Sequence, residues 1–328
     1  MKVGVLQFFG WRDRSTPLED VYARALDRIE VMDRSGYDAV WLAEHHFSGY
    51  SVCPSVHLMA CHVAARTRRL RIGTAVTLAA FYHPLRIAEE VALLDVLTGG
   101  RINWGAGRGF DPREFEVFGV DPAESTARFR EAVDIVLAAW TNERLTFEGR
   151  FHRYTDVEVL PKPAQRPHPP AWVAATSPSA VEWAAERGHS ILMDPHSPHG
   201  EIARKKRLYL DGLAKHGHDA EGRDLPVGRL VVVAESDAKA EEVARRGARW
   251  TAGAYLPKEA LGQFRPGDAP VDAVDHYLNE VVIHGSPEKV VDELLRLEEE
   301  IPLGYLLLSP LSEQTFGLFT DHVLPRVA

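Results

Sequence analysis

Short apolar runs alternate along this chain with longer stretches whose apolar residues recur every third or fourth position, from Lys2 to beyond Gly304. Apolar runs of about four to eight residues suit strands, and the longer period is that of an amphipathic helix, so the repeat predicts parallel α/β architecture. Strands are expected at Lys2 to Phe8, Ala39 to Ala43, Leu70 to Leu78, Ile102 to Ala106, Ala171 to Ala175, Ser190 to Met193, Pro226 to Ala234 and Gly304 to Leu308. Eight strands with helices between them predict a closed (β/α)8 TIM barrel, one domain over residues 1–328.

The helices carry starts and stops. Thr16-Pro17-Leu18-Glu19 reads as a helix start with a capping hydroxyl, an early proline and an early acid, and Gly36 closes the segment Leu18 to Ser35. A second helix is expected after Pro54 and a third between Pro84 and Gly99-Gly100. Another runs from Pro178 to Gly188, with Val181, Ala184 and Ala185 on one face. Two stretches break the rhythm. Leu145 to Val159 places Phe147, Phe151 and Tyr154 among polar neighbours around Gly149, which predicts a β-hairpin inserted after the fourth helix. Thr251 to Ala273, rich in Gly, Pro and Ala, is expected to be a mobile excursion after the seventh strand, of the kind that covers or shapes a site.

Composition narrows the class. A chain of 328 residues, 45% hydrophobic and 26% charged, has the make-up of a soluble globular protein. A formal net charge of −9 and scattered Lys and Arg argue against a nucleic-acid surface. The densest basic run, Arg204-Lys205-Lys206-Arg207, reads as a solvated helix face. Cys53 and Cys61 form neither a CxxC pair nor a secretory framework, and are expected to be buried or half-buried free thiols. The N-terminus lacks a basic segment followed by a long apolar one, and no apolar stretch approaches the roughly 18 residues that span a bilayer. A cytoplasmic protein without membrane contact is expected.

In a barrel, reactive groups stand where strands end. Glu44-His45-His46-Phe47 follows the second strand, and alternation turns Glu44 and His46 one way and His45 the other. His45 is the candidate general acid/base, because an imidazole titrates near pH 6.5 and both gives and takes a proton. A hydrogen-bonded structural histidine is the competing reading of His45 and the favoured one for His46, while Glu44 orients a neighbour or pairs with an arginine. No metal is expected: HxH and HExxH are absent, and His83, His196, His199 and His284 lack ligand spacing.

After the fourth strand, Gly105-Ala106-Gly107-Arg108-Gly109 lets the backbone approach a ligand, with Arg108 offering a fork to a phosphate or carboxylate. Phe110 stands where GxGxxG needs its last glycine, so this is no dinucleotide fingerprint, and a barrel turn with a surface arginine competes. Ala174-Ala175-Thr176-Ser177-Pro178 places hydroxyls and free amides at a helix N-terminus, where an anion is favoured, although Ser177 serves equally as a cap. Ala75 and Val76 in the third strand read either as a flat surface for an aromatic ligand or as core.

Together the segments GYDAVWLAEHHF (Gly36 to Phe47), RIGTAV (Arg71 to Val76), HPLRIAEEVALLDVLTGGR (His83 to Arg101), GAGRGFDPREFEVFG (Gly105 to Gly119) and EWAAERG (Glu182 to Gly188) resemble the luciferase-like flavin monooxygenases, especially the catalytic subunit of bacterial luciferase, over nearly the whole chain. The resemblance implies a barrel that takes reduced FMN (FMNH2) from a separate NAD(P)H-dependent flavin reductase. The flavin reacts with O2 to a C4a-hydroperoxide that oxygenates a small organic substrate. It also implies that His45 is catalytic, that Arg108 and Ser177 contact the flavin phosphate with Gly107, Ala174, Ala175 and Thr176 nearby, and that Ala75 and Val76 lie against the ring at a cis peptide.

A dry pocket suits such chemistry, and Phe8, Phe9, Trp11, Phe47, Phe81, Tyr82 and Phe110, with Asp194, are its expected walls. Family members pair through helices near the second and third strands, so a homodimer is expected, with Ser55 to Ala65 as a candidate face. Departures stand at Gly107 and Thr176, where the luciferase subunit has cysteine and glutamate, at Thr126, where it has an arginine that Arg128 is close enough to replace, and around Asp194-Pro195-His196, where it has a tryptophan. They alter the flavin grip and the substrate pocket. Two alternatives follow: an F420-dependent oxidoreductase on the same barrel, and a non-catalytic flavin-binding partner subunit.

Overall fold

Consecutive buried residues in strand after strand mark the apolar runs as parallel strands covered on both faces. The computed structural model describes residues 1–255, 273–301 and 303–328. In chain order, the first half holds β1 (Lys2–Gln7), α1 (Leu18–Arg34), β2 (Ala39–Leu42), α2 (Val56–Arg66), β3 (Arg71–Thr74), β4 (Thr77–Leu78), α3 (Pro84–Thr98), β5 (Ile102–Gly107), α4 (Pro112–Phe118), α5 (Pro122–Thr141), β6 (Leu145–Glu148), β7 (Arg153–Val157) and β8 (Ala171–Ala174). The second half holds α6 (Pro178–Glu186), β9 (Ser190–Leu192), α7 (His199–His216), β10 (Pro226–Val233), α8 (Asp237–Tyr255), α9 (Ala273–Glu280), β11 (Ile283–Gly285), α10 (Pro287–Glu300), β12 (Tyr305–Pro310), α11 (Glu313–Leu318), a π-helical turn (Phe319–Val323) and α12 (Leu324–Val327). All eight expected strands form.

The chain divides into two units, Gln7–Ala174 and Met1–Leu6 with Ala175–Ala328. In the first unit the strands run in parallel in the order β2-β3-β5-β8, with Ala39 opposite Arg71, Ile72 opposite Ile102 and Trp104 opposite Ala171. The single strand expected over Leu70 to Leu78 is two pieces: β3 pairs β5, the chain then breaks at Ala75-Val76, whose peptide bond is cis, and β4 resumes on β5. Thr74 closes the seam, its hydroxyl donating to the Gly105 carbonyl at 2.7 Å and accepting from the Gly105 amide at 2.9 Å. At the other end of these strands Arg71 donates to Asn103 and Gln165, and Gln165 donates to Asp95.

The expected stop at Gly99 holds, and caps not read in the sequence start α2, α4 and α5. Ser55 accepts from the Leu58 amide, Asp111 from Arg113 and Asp121 from Ala123, and Gly99 closes α3 in the left-handed region at φ 67°. Thr16 does not cap α1: Pro17 occupies that position and makes no side-chain cap. The hairpin forms as β6 and β7, antiparallel, with Leu145 opposite Val157. Cys53 is buried, but Cys61 on α2 is exposed, against the expectation for both thiols.

In the second unit β10 is the central strand. It pairs in parallel with β12, Pro226 opposite Tyr305, and β12 pairs in turn with β1, Lys2 opposite Tyr305. On its other side β10 meets Met193 at Val227 and then β11, with Val231 opposite Ile283. β11 went unforeseen because three residues are too few to show a period. Leu230, Val232, Ala244, Ala248, Tyr277 and Val281 pack as a core under α8 and α9. The excursion expected at Thr251 to Ala273 lies mostly outside the described residues, and its first residues continue α8 to Tyr255. Lys205, read as part of a solvated basic face, is instead 3% exposed and paired.

Candidate active site

β2 ends at Leu42, and the run that follows is held by two anchors. The His45 amide donates to the Cys53 carbonyl at 3.2 Å, and the His46 amide to Glu114 Oε1 at 2.9 Å. Side-chain alternation works as expected: Glu44 Oε1 meets His46 Nε2 at 3.2 Å, so these two bond to one another and not to an arginine. His45 packs against the rings of Phe8, Tyr50 and Phe110, with centroids at 6.1, 5.1 and 5.8 Å. Its side chain is 13% exposed, and its Nδ1 lies 3.8 Å from Glu114 Oε1, an ion-pair distance rather than a hydrogen bond. An imidazole walled by rings, beside a buried carboxylate, can exchange a proton with a ligand while little water reaches it.

Two of these neighbours went unread in the sequence. Glu114 stands in the first turn of α4, where an acid ordinarily complements the helix dipole at the surface, yet it is 1% exposed. Tyr50 lies in a loop with no period to mark it. Behind the site, burial and then the Glu44 carboxylate push the Cys53 thiol up to about 12 and raise the Tyr82 phenol as well. Both stay protonated at neutral pH, so Cys53 is no nucleophile. His57 joins this layer, with Nδ1 2.8 Å from Glu90 and Nε2 3.1 Å from Thr77.

The glycines in and just after β5 have three separate reasons. A Cβ on Gly105 would lie 2.1 Å from the Thr74 carbonyl oxygen, so this glycine makes room for a neighbouring strand rather than for a ligand. A Cβ on Gly107 would lie 2.3 Å from Val76 Cγ2. Gly109 takes φ 85°, a left-handed conformation that suits glycine. Between the last two, Arg108 is exposed, and its Nη1 donates to Ser125 Oγ at 2.9 Å. Ser125 in turn donates to the Pro122 carbonyl. Arg128, proposed from the sequence as a second cation, is taken by Glu124 at 2.9 Å and stacks on Phe151 at 4.2 Å.

The remaining expected wall residues divide. Phe8 and Phe110 stand at His45, whereas Phe47 and Phe81 both pack on Phe118, with centroids at 5.2 and 5.1 Å. Trp11 carries the Arg14 guanidinium on its face, Tyr82 lies against His57, and Phe9 is a core residue beside Tyr22. In the second unit, Ser177 is the N-cap of α6, accepting from the Ala180 amide at 3.3 Å, and Thr176 and Ser177 are exposed while Ala175 is buried. Asp194 is not a free wall residue. It accepts from Lys205 Nζ at 3.2 Å, Ser197 Oγ at 2.8 Å and the amides of His196 and Ser197. Burial alone would raise its carboxyl, but Lys205, His196 and these donors hold it at about 2. Among the described residues no three His, Cys, Asp or Glu side chains are grouped to hold a metal ion.

Residues 1–302 match the profile of a family described as luciferase-like monooxygenase. The chain belongs to that family. Among relatives of this luciferase-like protein is the oxygenase component of a flavin-dependent trigonelline monooxygenase from Acinetobacter baylyi, 28% identical over 69% of this chain and 63% of the relative. Another is the alkanal monooxygenase alpha chain of the Kryptophanaron alfredi symbiont, 29% identical over 69% of this chain and 64% of the relative. The chain thus spans roughly half to two thirds of the length of the first curated relatives it matches. The crystal structure of monooxygenase RslO1 from Streptomyces bottropensis superposes with a TM-score of 0.82 over 100% of both chains at 29% identity. The luciferase-like chain has this α/β fold of mostly parallel strands. No helix among the described residues is long and apolar enough to cross a membrane.

Proposed function

We propose that this chain is the oxygenase of a two-component FMN-dependent monooxygenase, built as a single closed barrel and acting on a small organic substrate. The observation that carries the reading is the ring-walled His45 in the same unit as Arg108, an exposed guanidinium already oriented by Ser125. Residues with the chemistry that FMN needs support this reading. Its phosphate needs a cation, for which Arg108, held by Ser125, has the chemistry; the start of α6 at Ser177, preceded by Ala174, Ala175 and Thr176, has the helix N-terminal chemistry that suits an anion. The flavin ring needs a flat surface, which Ala75 and Val76 supply at a cis bond next to Gly107.

When bound, reduced FMN supplies the electrons with which dioxygen is activated. The chain's own residues do the rest. His45 holds and passes a proton at an imidazole nitrogen, Phe8, Tyr50 and Phe110 exclude water around it, and Glu114 fixes the turn that carries it. A separate NAD(P)H-dependent reductase would deliver the flavin. We further propose a homodimer through α2 and α3, where Leu58, Leu93, Val96 and Leu97 are 76%, 48%, 46% and 66% exposed. Light scattering should give twice the chain mass, and L58E/L97E should give the single mass.

Titration of the protein with FMN and with F420, each in reduced form, tests the cofactor. Preferential binding of FMN is expected, weakened about 10-fold in R108A through loss of a charge-assisted contact. With reduced FMN, oxygen and candidate substrates, H45A should lose product formation by about 100-fold or more while still binding flavin. Tighter binding of F420 would replace oxygenation by hydride transfer. Turnover left intact in H45A would remove His45 as the proton handler, and absence of flavin binding would end the reading.

A further inference from the structure

Eight consecutive residues of β10 are buried, and one of them is an arginine. Arg229 is 0% exposed. Its Nη1 donates to the Ser197 carbonyl at 3.1 Å, while Nε and Nη2, two donors on one edge of the guanidinium, are buried with no acceptor among the described residues. A charged donor in that position has given up its hydration for nothing. The carboxylates nearby are committed elsewhere: Asp194 to Lys205 and the Ser197 turn, Glu293 to Arg296 at 2.6 Å. Arg229 and Lys205 are two buried cations for one buried carboxylate, which leaves a surplus positive charge.

Ser197 leads directly into α7, whose N-cap Pro198 has no side chain to offer the first turn. His199, the first residue of that helix, has a buried Nδ1 that is also without a partner. Burial, and next the Arg229 charge, keep this imidazole neutral down to about pH 4, so Nδ1 can carry a proton to donate without adding charge. The guanidinium thus carries two unsatisfied donors, and a third unpartnered atom, His199 Nδ1 at the start of α7, feels its charge.

We propose that Arg229 and the start of α7 form a buried subsite for a carboxylate, the acidic group of a small organic acid. The Nε and Nη2 edge is the side of arginine that meets both oxygens of a carboxylate at once, and the His199 ring and the α7 dipole add to the same charge preference. Because both donors are covered, the acid enters by displacing neighbouring side chains. That this acid is the substrate rests on the oxygenase reading above; the subsite itself does not.

The test uses the full chain without flavin. Thermal midpoints and calorimetric affinities are measured with benzoate, acetate and sulfate, and with benzamide as the uncharged counterpart of benzoate. A saturable rise with a carboxylate and none with benzamide is expected. R229K, which keeps the charge but not the fork, should bind about 10-fold or more weakly. R229M should lose the response while its unliganded midpoint equals or exceeds that of the wild type, since an unpaired buried charge is gone. No response to either carboxylate, a response to sulfate alone, or an equal response in both variants overturns the proposal. A benzoate response together with failed FMN binding would uphold the subsite and remove the oxygenase reading.

Discussion

Gly107 shows how one absent methyl group records a neighbour's shape. The luciferase subunit carries cysteine where this chain has Gly107, and Val76 Cγ2 explains the difference by filling the space a Cβ would need. A valine methyl cannot swing away as a long flexible side chain would. G107A should therefore destabilise the protein by about 1–3 kcal/mol through overpacking, and V76A in the same chain should recover much of that loss. Urea unfolding of both single variants and the double variant measures the coupling, and additive effects would show that Val76 is not the obstacle. Glu114 makes the same point in electrostatic form. Its position in α4 is that of an ordinary first-turn acid, but a contact across 68 residues to the His46 amide turns it into part of the site.

Elements are held by side chains as much as by their own ladders. The turn between β6 and β7 presents the amides of Arg150, Phe151 and His152 to one carboxylate, Glu131 of α5, at 2.7, 3.0 and 2.7 Å. A two-stranded hairpin is marginal in isolation, and this anchor ties it to a long helix. Glu131→Ala leaves three donors unmatched and should cost about 2–3 kcal/mol, with faster hydrogen exchange confined to those amides and the adjoining strands. Exchange unchanged from the wild type would mean that the hairpin holds itself. The hairpin was legible from alternation around Gly149; its anchor was not, because nothing near Glu131 in the chain announces a partner some 20 residues ahead.

For the whole molecule, buried titratable groups set the dependence of stability on acid. His199 titrates near 6.5 when unfolded and about 4 when folded, so its contribution is complete above pH 6.5 and is lost as pH falls through that window, by up to about 3 kcal/mol. Asp194, at about 2 against 3.8, acts in the same direction lower down, its share of about 2 kcal/mol disappearing between those values as the Lys205 pair is discharged. Urea midpoints taken from pH 7 to pH 3 should fall steadily in the wild type, and H199Q should flatten the part between 6.5 and 4. A wild-type profile already flat there would contradict the neutral, buried state of His199.

What this sequence determined alone was whatever depends on local period and local chemistry. Its eight expected strands, the helix stop at Gly99, the hairpin and the AEHHF run all follow from backbone geometry that repeats over a few residues, and the family segments lie on those same elements. Tertiary structure decided the fate of the charges. Lys205 sits in a basic run that reads as solvated, Asp194 reads as a wall residue, and Arg229 went unread within its apolar strand; contacts across 11 and 32 residues bury them as a pair and a surplus cation. Burial of a charge depends on which distant groups close around it, and no local pattern in a chain records that.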